Sequence, residues 1–421
     1  MDNKTDTVDL VVTGSLVGFV LFSVFSISLA QACATAGGIA WLWRICRDRA
    51  WGGMKWPLGI PFLLFVLACI LSVATAVDIG RSVKPLKKVL EILIFFWAVN
   101  CVGAARPGAF FVRLVKRLPS GGLKDRGERL AARLETVSPR EFFLFLLLGS
   151  VSMASLYGFY QAWTHGVSTS SRVGGSLSIY MTFAGILMLV GLVAASRLLF
   201  AKGMAIWVGA ALGVIVVCLF LTLTRQAWVG FLAGLAILLY VRKRILVLAL
   251  PLLALLAVAL SPGAVQERLK SFANLKDATF LTRVALWRGG WAIFKDHPLT
   301  GCGFKCVDSI YEKYPEHVNA LKRYKGMHNN VVQLAVDTGI AGLSAWLSIW
   351  IYYFLSLYRL RETCVGLERW ILLGCGAAIA GFLTGGMFEV NFYDSEVVML
   401  TYFLMGLPFA HARPQPVSWE A

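Results

Sequence analysis

The chain has few charged residues, and acidic residues are the scarcer kind. Only 15% of its 421 residues are charged, with 23 Asp and Glu against 40 Lys and Arg, whereas 58% are hydrophobic. Soluble domains average about 25% charged and about 45–50% apolar residues. This composition excludes an ordinary soluble domain. The repeated long apolar runs predict an all-α polytopic membrane protein, because a helix satisfies its own backbone in lipid.

Several motifs are missing as well. The start Met-Asp-Asn-Lys lacks the basic residues and the small-residue cleavage site of a signal peptide, so we expect the first apolar run, Val8–Leu29, to be retained as a helix. The chain has no Asp-x-Asp pair, no histidine–carboxylate cluster with metal-ligand spacing and no Gly-rich phosphate loop. We therefore expect no catalytic metal and no cofactor. The sequence shows no internal repeat of the kind that forms the paired halves of a secondary transporter.

Positive charge is in excess, with a formal net charge of +17. In a soluble protein this balance would suggest nucleic acid. Here much of the excess lies in short loops that would be cytoplasmic, as the positive-inside rule describes, so we predict no nucleic-acid partner. The strongest such segment is 105–140, with nine Lys and Arg. We expect it to be amphipathic and to lie on anionic membrane lipids.

The apolar runs predict about twelve membrane spans with both ends inside. Residues 1–260 would hold helices one to nine, including the cytoplasmic basic loop 105–140. Residues 261–327 would form one long, partly helical outer loop, and residues 328–421 would hold helices ten to twelve. The short segment Asp78–Lys88 is basic although it would lie outside, so we interpret it as functional or as an interfacial anchor.

The long outer loop carries two features of its own. Thr282–Phe294 has helical spacing, which places Arg283 and Trp287 on one face. Cys302 and Cys306 can form a disulfide if the loop faces an oxidising compartment.

His328 stands at the outer end of the span that follows this loop, so it would lie at the mouth of the membrane. An unperturbed histidine has a pKa of about 6.5, so at neutral pH its mostly neutral ring can accept a proton as a general base. A histidine that only anchors the helix end is the alternative, and chemistry alone does not separate the two. The outer acidic residues Glu389, Asp394 and Glu396 would bind a metal, orient His328 or be solvated.

Arginines gather on the same outer side. Arg225 follows Thr224 at a predicted helix N-terminus, where a cation opposes the helix dipole unless both face an anion. Arg172, Arg283 and Arg288 would also lie outside. Because arginine binds phosphate in bidentate fashion, this set predicts a phosphate or pyrophosphate site. The alternative is snorkelling to lipid headgroups, which fits Arg288 better than Arg225.

An ordered set of motifs resembles the O-antigen ligase family, within the wider O-antigen ligase/polymerase superfamily. The motifs run from Arg172 to Gly342, while the rest of the chain matches only in hydropathy. They are Arg172-Val-x-Gly175, Thr222-Leu-Thr-Arg225, Arg283-x-x-x-Trp287, His297-Pro-x-x-Gly-x-Gly303, His328-Asn-x-x-x-Gln333 and Asp337-x-Gly339-x-x-Gly342. One departure is Gln226, where many relatives carry a small residue.

The resemblance implies a GT-C-like glycosyltransferase with many spans in a bacterial inner membrane and an active site that faces the periplasm. It implies a metal-independent, inverting transfer of O-antigen polysaccharide from undecaprenyl pyrophosphate to a sugar hydroxyl of lipid A–core. His328 would be the general base, Arg225 and Arg172 would hold the donor pyrophosphate, and Arg283 would bind a phosphate or shape the loop. Six further residues are expected to support the site: Arg288, Asn329, Gln333, Trp287, Glu389 and Lys84.

Three other functions remain open. An O-antigen polymerase and a protein O-oligosaccharyltransferase of the same superfamily would share the donor and differ in acceptor. A lipid or glycan flippase would need coupling charges within its spans, and this chain has few. For a ligase, the basic segment Arg81–Lys88 would contact the phosphates of lipid A.

Overall fold

The computed structural model describes residues 7–116, 121–168, 170–252, 263–270, 278–362 and 368–410, and all regular structure in these ranges is helical. This agrees with the predicted all-α class. The first nine helices are α1 (Thr7–Phe22), α2 (Ile27–Asp48), α3 (Gly59–Ala74), α4 (Ile79–Leu86), α5 (Leu93–Cys101), α6 (Pro107–Val115), α7 (Gly122–Glu135), α8 (Pro139–His165) and α9 (Tyr180–Phe200). The next nine are α10 (Ala205–Leu221), α11 (Arg225–Arg242), α12 (Gly263–Lys270), α13 (Ala278–Asp296), α14 (Val307–Ile310), α15 (Val318–Tyr324), α16 (Asn330–Leu360), α17 (Arg369–Gly385) and α18 (Ser395–Gly406).

Several helices are suited to a membrane by length and composition. Within the described ranges, α8, α9 and α16 are long and apolar enough to cross one, and Ile79–Ala104 with α6 adds a fourth if this pair, bent by 74°, is one span. Shorter apolar helices are α1, α3, α10, α17 and the stretch Ser395–Phe409. These elements fit a polytopic membrane protein, and the number of twelve spans stays a prediction.

The centre of the bundle is α9, where every residue from Thr182 to Arg197 is buried. It packs against α10, α11 and α17. Helices α11 and α17 approach each other closely, because Gly230 and Gly381 face each other's backbone and a Cβ at Gly230 would lie 2.5 Å from the Gly381 carbonyl oxygen. Small residues permit such close contacts between membrane helices. Helix α16 packs on α3, and α18 packs on α5.

The N-terminal part differs from the sequence prediction in two places. Helix α2 begins at Ile27, so the first turn falls at residues 23–26, and Leu29 lies in the second helix. The predicted outer loop Asp78–Lys88 is helical: α4 is capped by Asp78, whose side chain accepts from the Arg81 N–H at 3.0 Å. A 3-10 turn over Lys87–Ile92 then leads directly into α5.

The predicted long outer loop is helical over much of its described part. Its α13 is longer than the predicted Thr282–Phe294. A separate small core joins α13, α14 and α15 to the start of α16, and its members include Leu286, Ile293, Ile310, Leu321 and Val336. Residues 261–262 and 271–277 of the predicted loop lie outside the described residues.

Helix α16 is broken at Gly339, whose φ of 63° is non-helical. The segment 298–303 fills the break and bonds the helix on both sides. Cys302 N–H donates to the Val336 carbonyl at 2.9 Å, and Ile340 N–H donates to the Pro298 carbonyl at 2.8 Å. Segment 298–303 therefore supplies hydrogen-bond partners to backbone groups of α16 on both sides of the break.

Glycines make this contact possible. A Cβ at Gly339 would overlap the Leu299 carbonyl, and a Cβ at Gly301 would overlap the Asp337 backbone. Both residues also have φ values in the left-handed region that favours glycine. Cys302 and Cys306 form a disulfide at the end of the segment, with Cα atoms 5.7 Å apart.

Candidate functional site

His328 lies just before α16, which begins at Asn330 rather than at the histidine. Its φ of 46° is unusual for a residue with a side chain, and its neighbour Met327 is held from two sides. Gln333 Oε1 accepts from the Met327 N–H at 2.9 Å. Trp287 Nε1 donates to the Met327 carbonyl at 3.0 Å. These bonds fix the backbone from which the histidine ring projects.

Glu389 is the hydrogen-bond partner of this ring. His328 Nδ1 and Glu389 Oε1 are 2.9 Å apart, and the two side chains are 28% and 16% exposed. Burial alone would raise the pKa of Glu389. The pKa is nevertheless held below its ordinary value by the hydrogen bond and charge of His328, by the Val390 N–H and by the charge of Arg283. An ionised carboxylate only accepts hydrogen bonds, so Nδ1 carries the proton and Nε2 is left as the basic atom.

Two asparagines place Glu389 beside the histidine. Asn329 caps α16 through its Oδ1, and its Nδ2 donates to the Met387 carbonyl at 2.9 Å. Asn330 Nδ2 donates to Asn391 Oδ1 at 2.6 Å, and Asn330 Oδ1 accepts from the Phe392 N–H. The 386–392 turn is therefore fastened to the start of α16 on both sides of Glu389.

A buried polar network supports the same turn of helix. Gln333 Nε2 donates to both Asp337 carboxylate oxygens at 3.0 Å, and Tyr393 Oη donates to one of them at 2.6 Å. Ser72 Oγ from α3 donates to the Asp337 carbonyl at 2.6 Å. Asp337 is fully buried, so these bonds satisfy its side chain and carbonyl, and they link α3, α16 and the 386–394 turn.

Three of the predicted arginines neighbour or act on residues that line a cavity of about 410 Å³. This cavity, here called the α11 cavity, is lined by Thr224, Gln226, Ile179 and Glu389 among others. Arg225 begins α11 between two lining residues, and no side chain caps that helix end. Arg172 stacks over Tyr180, next to lining Ile179, with 4.5 Å from guanidinium carbon to ring centroid. Arg283 acts electrostatically on Glu389. Of the three arginines, Arg283 is therefore linked to the His328 pair through Glu389, while Arg225 and Arg172 neighbour residues that line the cavity.

The acidic cluster predicted from the sequence divides in two. Glu389 serves His328, whereas Asp394 caps α18 and accepts from Thr182 Oγ1 at 2.5 Å. Burial raises the pKa of Asp394 to about 7; the Thr182 bond lowers it and neighbouring Glu396 raises it. In the parts of the chain that the structure describes, no three His, Cys, Asp or Glu side chains come together as a metal site.

The supporting residues have different positions. Asn329, Gln333 and Trp287 hold backbone near His328, as described above. Arg288 is exposed on α13. Lys84 lines a second cavity of about 550 Å³.

Sequence reasoning missed several residues of this region. Tyr324 packs its ring edge against His328, with ring centroids 5.7 Å apart. Asn330, Asn391 and Tyr393 carry the bonds that position Glu389 and Asp337. Asn330 stands inside the His328 motif, which was a signal for it, but Tyr324 and the 391–393 turn are distant in sequence and gave none.

A comparison with protein families agrees with the resemblance. Residues 210–347 match the family model described as O-Antigen ligase. No curated protein matches the chain.

Proposed function

We propose, from the match of residues 210–347 to the O-antigen ligase family model, that the protein transfers O-antigen polysaccharide from undecaprenyl pyrophosphate to a sugar hydroxyl of lipid A–core. The family match supports lipid-linked glycans as substrates in general and the ligase/polymerase type of transfer. The particular donor and acceptor are our proposal. The His328–Glu389 pair at the edge of the α11 cavity is the observation that carries it.

The proposed step uses His328 as general base. The acceptor hydroxyl gives its proton to Nε2 while its oxygen forms a bond to the anomeric carbon of the donor. The bond from that carbon to the pyrophosphate oxygen breaks, and the leaving group keeps the electron pair. Attack opposite the leaving group inverts the anomeric centre. Glu389 stabilises the imidazolium that forms, and a positioned base typically contributes about 10²–10⁴-fold to the rate.

Arginines would stabilise the negative charge that grows on the leaving group. Arg225 and the N–H groups at the start of α11 would face the pyrophosphate together, since both favour an anion there. Arg172, which precedes α9, and Arg283 on α13 would add further positive charge around the leaving group. Preorganised cations at the point where charge develops lower the barrier. The raised pKa of Asp394 reduces the opposing negative charge in the same cavity near neutral pH.

The proposed site faces the periplasm of the inner membrane. Basic segment 105–140 supports this orientation through the positive-inside rule. The Cys302–Cys306 disulfide next to the site supports it too, because disulfides persist in oxidising compartments.

A cell-free assay tests the function. Purified protein receives a defined lipid-linked donor together with lipid A–core, a growing glycan or a protein acceptor. We expect transfer to lipid A–core, and loss of most of it in His328→Ala while donor binding persists. Transfer only to glycan would indicate a polymerase, and transfer only to protein an oligosaccharyltransferase. Lipid movement without any bond formation would indicate a flippase.

A further inference from the structure

The second cavity, of about 550 Å³, has an unusual concentration of lysines. It lies between the α4 region and the turns that flank α14 and α15, with Phe65, Phe392 and Tyr402 among its apolar walls. We call it the lysine cavity after the five lysines that line it: Lys84, Lys87, Lys88, Lys305 and Lys325.

The lysines come from three separate segments that the fold holds together. Ser82 Oγ of α4 donates to the Phe304 carbonyl at 3.1 Å. Just before α4, the Val77 N–H donates to the Cys302 carbonyl at 3.0 Å, and Ser309 Oγ bonds Asp78 Oδ2 at 3.2 Å. These bonds tie α4, which carries Lys84, to the segment that carries Lys305.

Carboxylates in the cavity neutralise only part of this charge. Asp308 pairs with Lys325 at 3.1 Å. Asp337 is satisfied by Gln333 and Tyr393, and Glu91 lies near Lys88. Among the residues that the structure describes, no ion pair joins a carboxylate to the three other lysines, which are Lys84, Lys87 and Lys305. Cations held together without counter-charges repel one another, so an anionic ligand would relieve this repulsion.

The lysine cavity and the α11 cavity each have a lining residue in contact with His328. Tyr324 lines the lysine cavity and packs against the histidine ring. Glu389 lines the α11 cavity and bonds the same ring. Lys88, Val390 and Tyr393 line both cavities and form their shared wall. A base between two cavities suits a reaction in which two substrates must meet.

We infer that the lysine cavity is the acceptor site and binds the phosphoryl groups of an anionic acceptor glycolipid, whose hydroxyl then reaches His328 past Tyr324. The inference rests on the proposed function. The α11 cavity is then left for the donor, whose pyrophosphate faces Arg225. Several lysine point charges suit a multiply charged phosphoryl group of variable orientation.

Binding measurements test the assignment. Full-length protein in nanodiscs of zwitterionic lipid is offered lipid A–core, or the same lipid A–core after its phosphates are removed. In Lys84→Ala/Lys305→Ala we expect the Kd for phosphorylated acceptor to rise about tenfold or more, equivalent to about 1.4 kcal/mol. The Kd values for dephosphorylated acceptor and for donor should stay unchanged. The latter also shows that the variant is folded.

Two matched variants sharpen the test. Lys84→Arg/Lys305→Arg keeps the charge and should retain most affinity. Lys313→Ala removes an exposed lysine of the predicted outer loop that does not line the cavity, and should bind as wild type.

The inference is overturned if the double alanine variant binds donor more weakly. It is overturned equally if the affinity falls by the same factor for both acceptors, or if it falls for neither. It is also overturned if the lysine effect appears only in nanodiscs with anionic phospholipid, because the lysines would then bind the bilayer. Transfer by wild type to lipid A–core, measured in parallel, reports on the proposed function separately. Normal transfer with no lysine effect removes only the acceptor assignment.

Discussion

The hydrogen bond between Glu389 and His328 allows a sharp test, because Glu389→Gln changes little besides charge. The Gln side-chain oxygen can still accept from the Val390 N–H, which Glu389 Oε1 does at 3.1 Å. The change removes the ionic partner of a ring that becomes positively charged in the proposed transfer. Oε1 is the atom that meets both the Val390 N–H and Nδ1. A Gln side chain turned the other way would therefore lose the Val390 bond and donate its amide N–H to Nδ1, which would place the proton on Nε2 and block the base.

The size of the effect follows from the contact. A hydrogen bond to a charged group contributes about 1.5–3 kcal/mol, and each 1.4 kcal/mol is about tenfold in rate. At 2.9 Å and with both side chains mostly buried, we expect kcat to fall by about 10- to 150-fold, and further if the wrong tautomer dominates. The KM for donor should stay close to the wild-type value.

Initial rates of glycan transfer at saturating donor and acceptor measure this change. Glu389→Asp is a useful second variant, since it keeps the charge but shortens the side chain, and we expect an intermediate rate. A Glu389→Gln enzyme with wild-type kcat would refute the role of Glu389 and would leave His328 without its orienting partner.

Three further predictions address charge, backbone and pH. Arg225→Ala should weaken donor binding and turnover together. Arg225→Lys should restore only part of both, because a point charge replaces a bidentate fork. Full rescue by lysine would contradict bidentate binding of the pyrophosphate by Arg225. Gly339→Ala should lower the free energy of unfolding, measured by thermal unfolding, by about 2–5 kcal/mol, because a Cβ there has left-handed backbone strain and overlaps the Leu299 carbonyl. Gly209 has open space around it, so the control Gly209→Ala should be neutral or stabilise by about 0.5–1 kcal/mol. The Asp394 pKa is raised to about 7 in the fold. The contribution of this group to stability is therefore complete below about pH 4 and is lost as pH rises through 7. Asp394→Asn should flatten the fall in Tm between about pH 5 and 8, and an unchanged slope of Tm against pH would argue against a raised Asp394 pKa.

The sequence predicted the helical class well, because apolar runs in lipid leave helices as the main solution. It also placed Arg225 at a helix start and a helix over Arg283 and Trp287. It failed on Asp78–Lys88, where basic residues suggested a loop. Those residues instead form α4 and the start of the 3-10 turn that follows it, and their lysines line a cavity together with residues more than two hundred positions away.

Long-range contacts account for most of what the sequence did not reveal. His328 could be proposed as a base from its own chemistry, but its bond to Glu389 depends on Asn330 meeting Asn391. No local period or spacing encodes that meeting. Similarly, the glycines at 301 and 339 could be recognised as parts of motifs, but their mutual contact appears only when segment 298–303 enters the break in α16.

The break in α16 also constrains how the protein is made. Segment 298–303 precedes α16 in the chain, so it leaves the ribosome first. If α16 spans the membrane with Gly339 in lipid, the helix carries backbone groups without partners near Gly339 until segment 298–303 packs into the break, which is costly in lipid. On this arrangement α16 becomes a complete span only when segment 298–303 and the start of the helix, which carries the His328 site, have folded together.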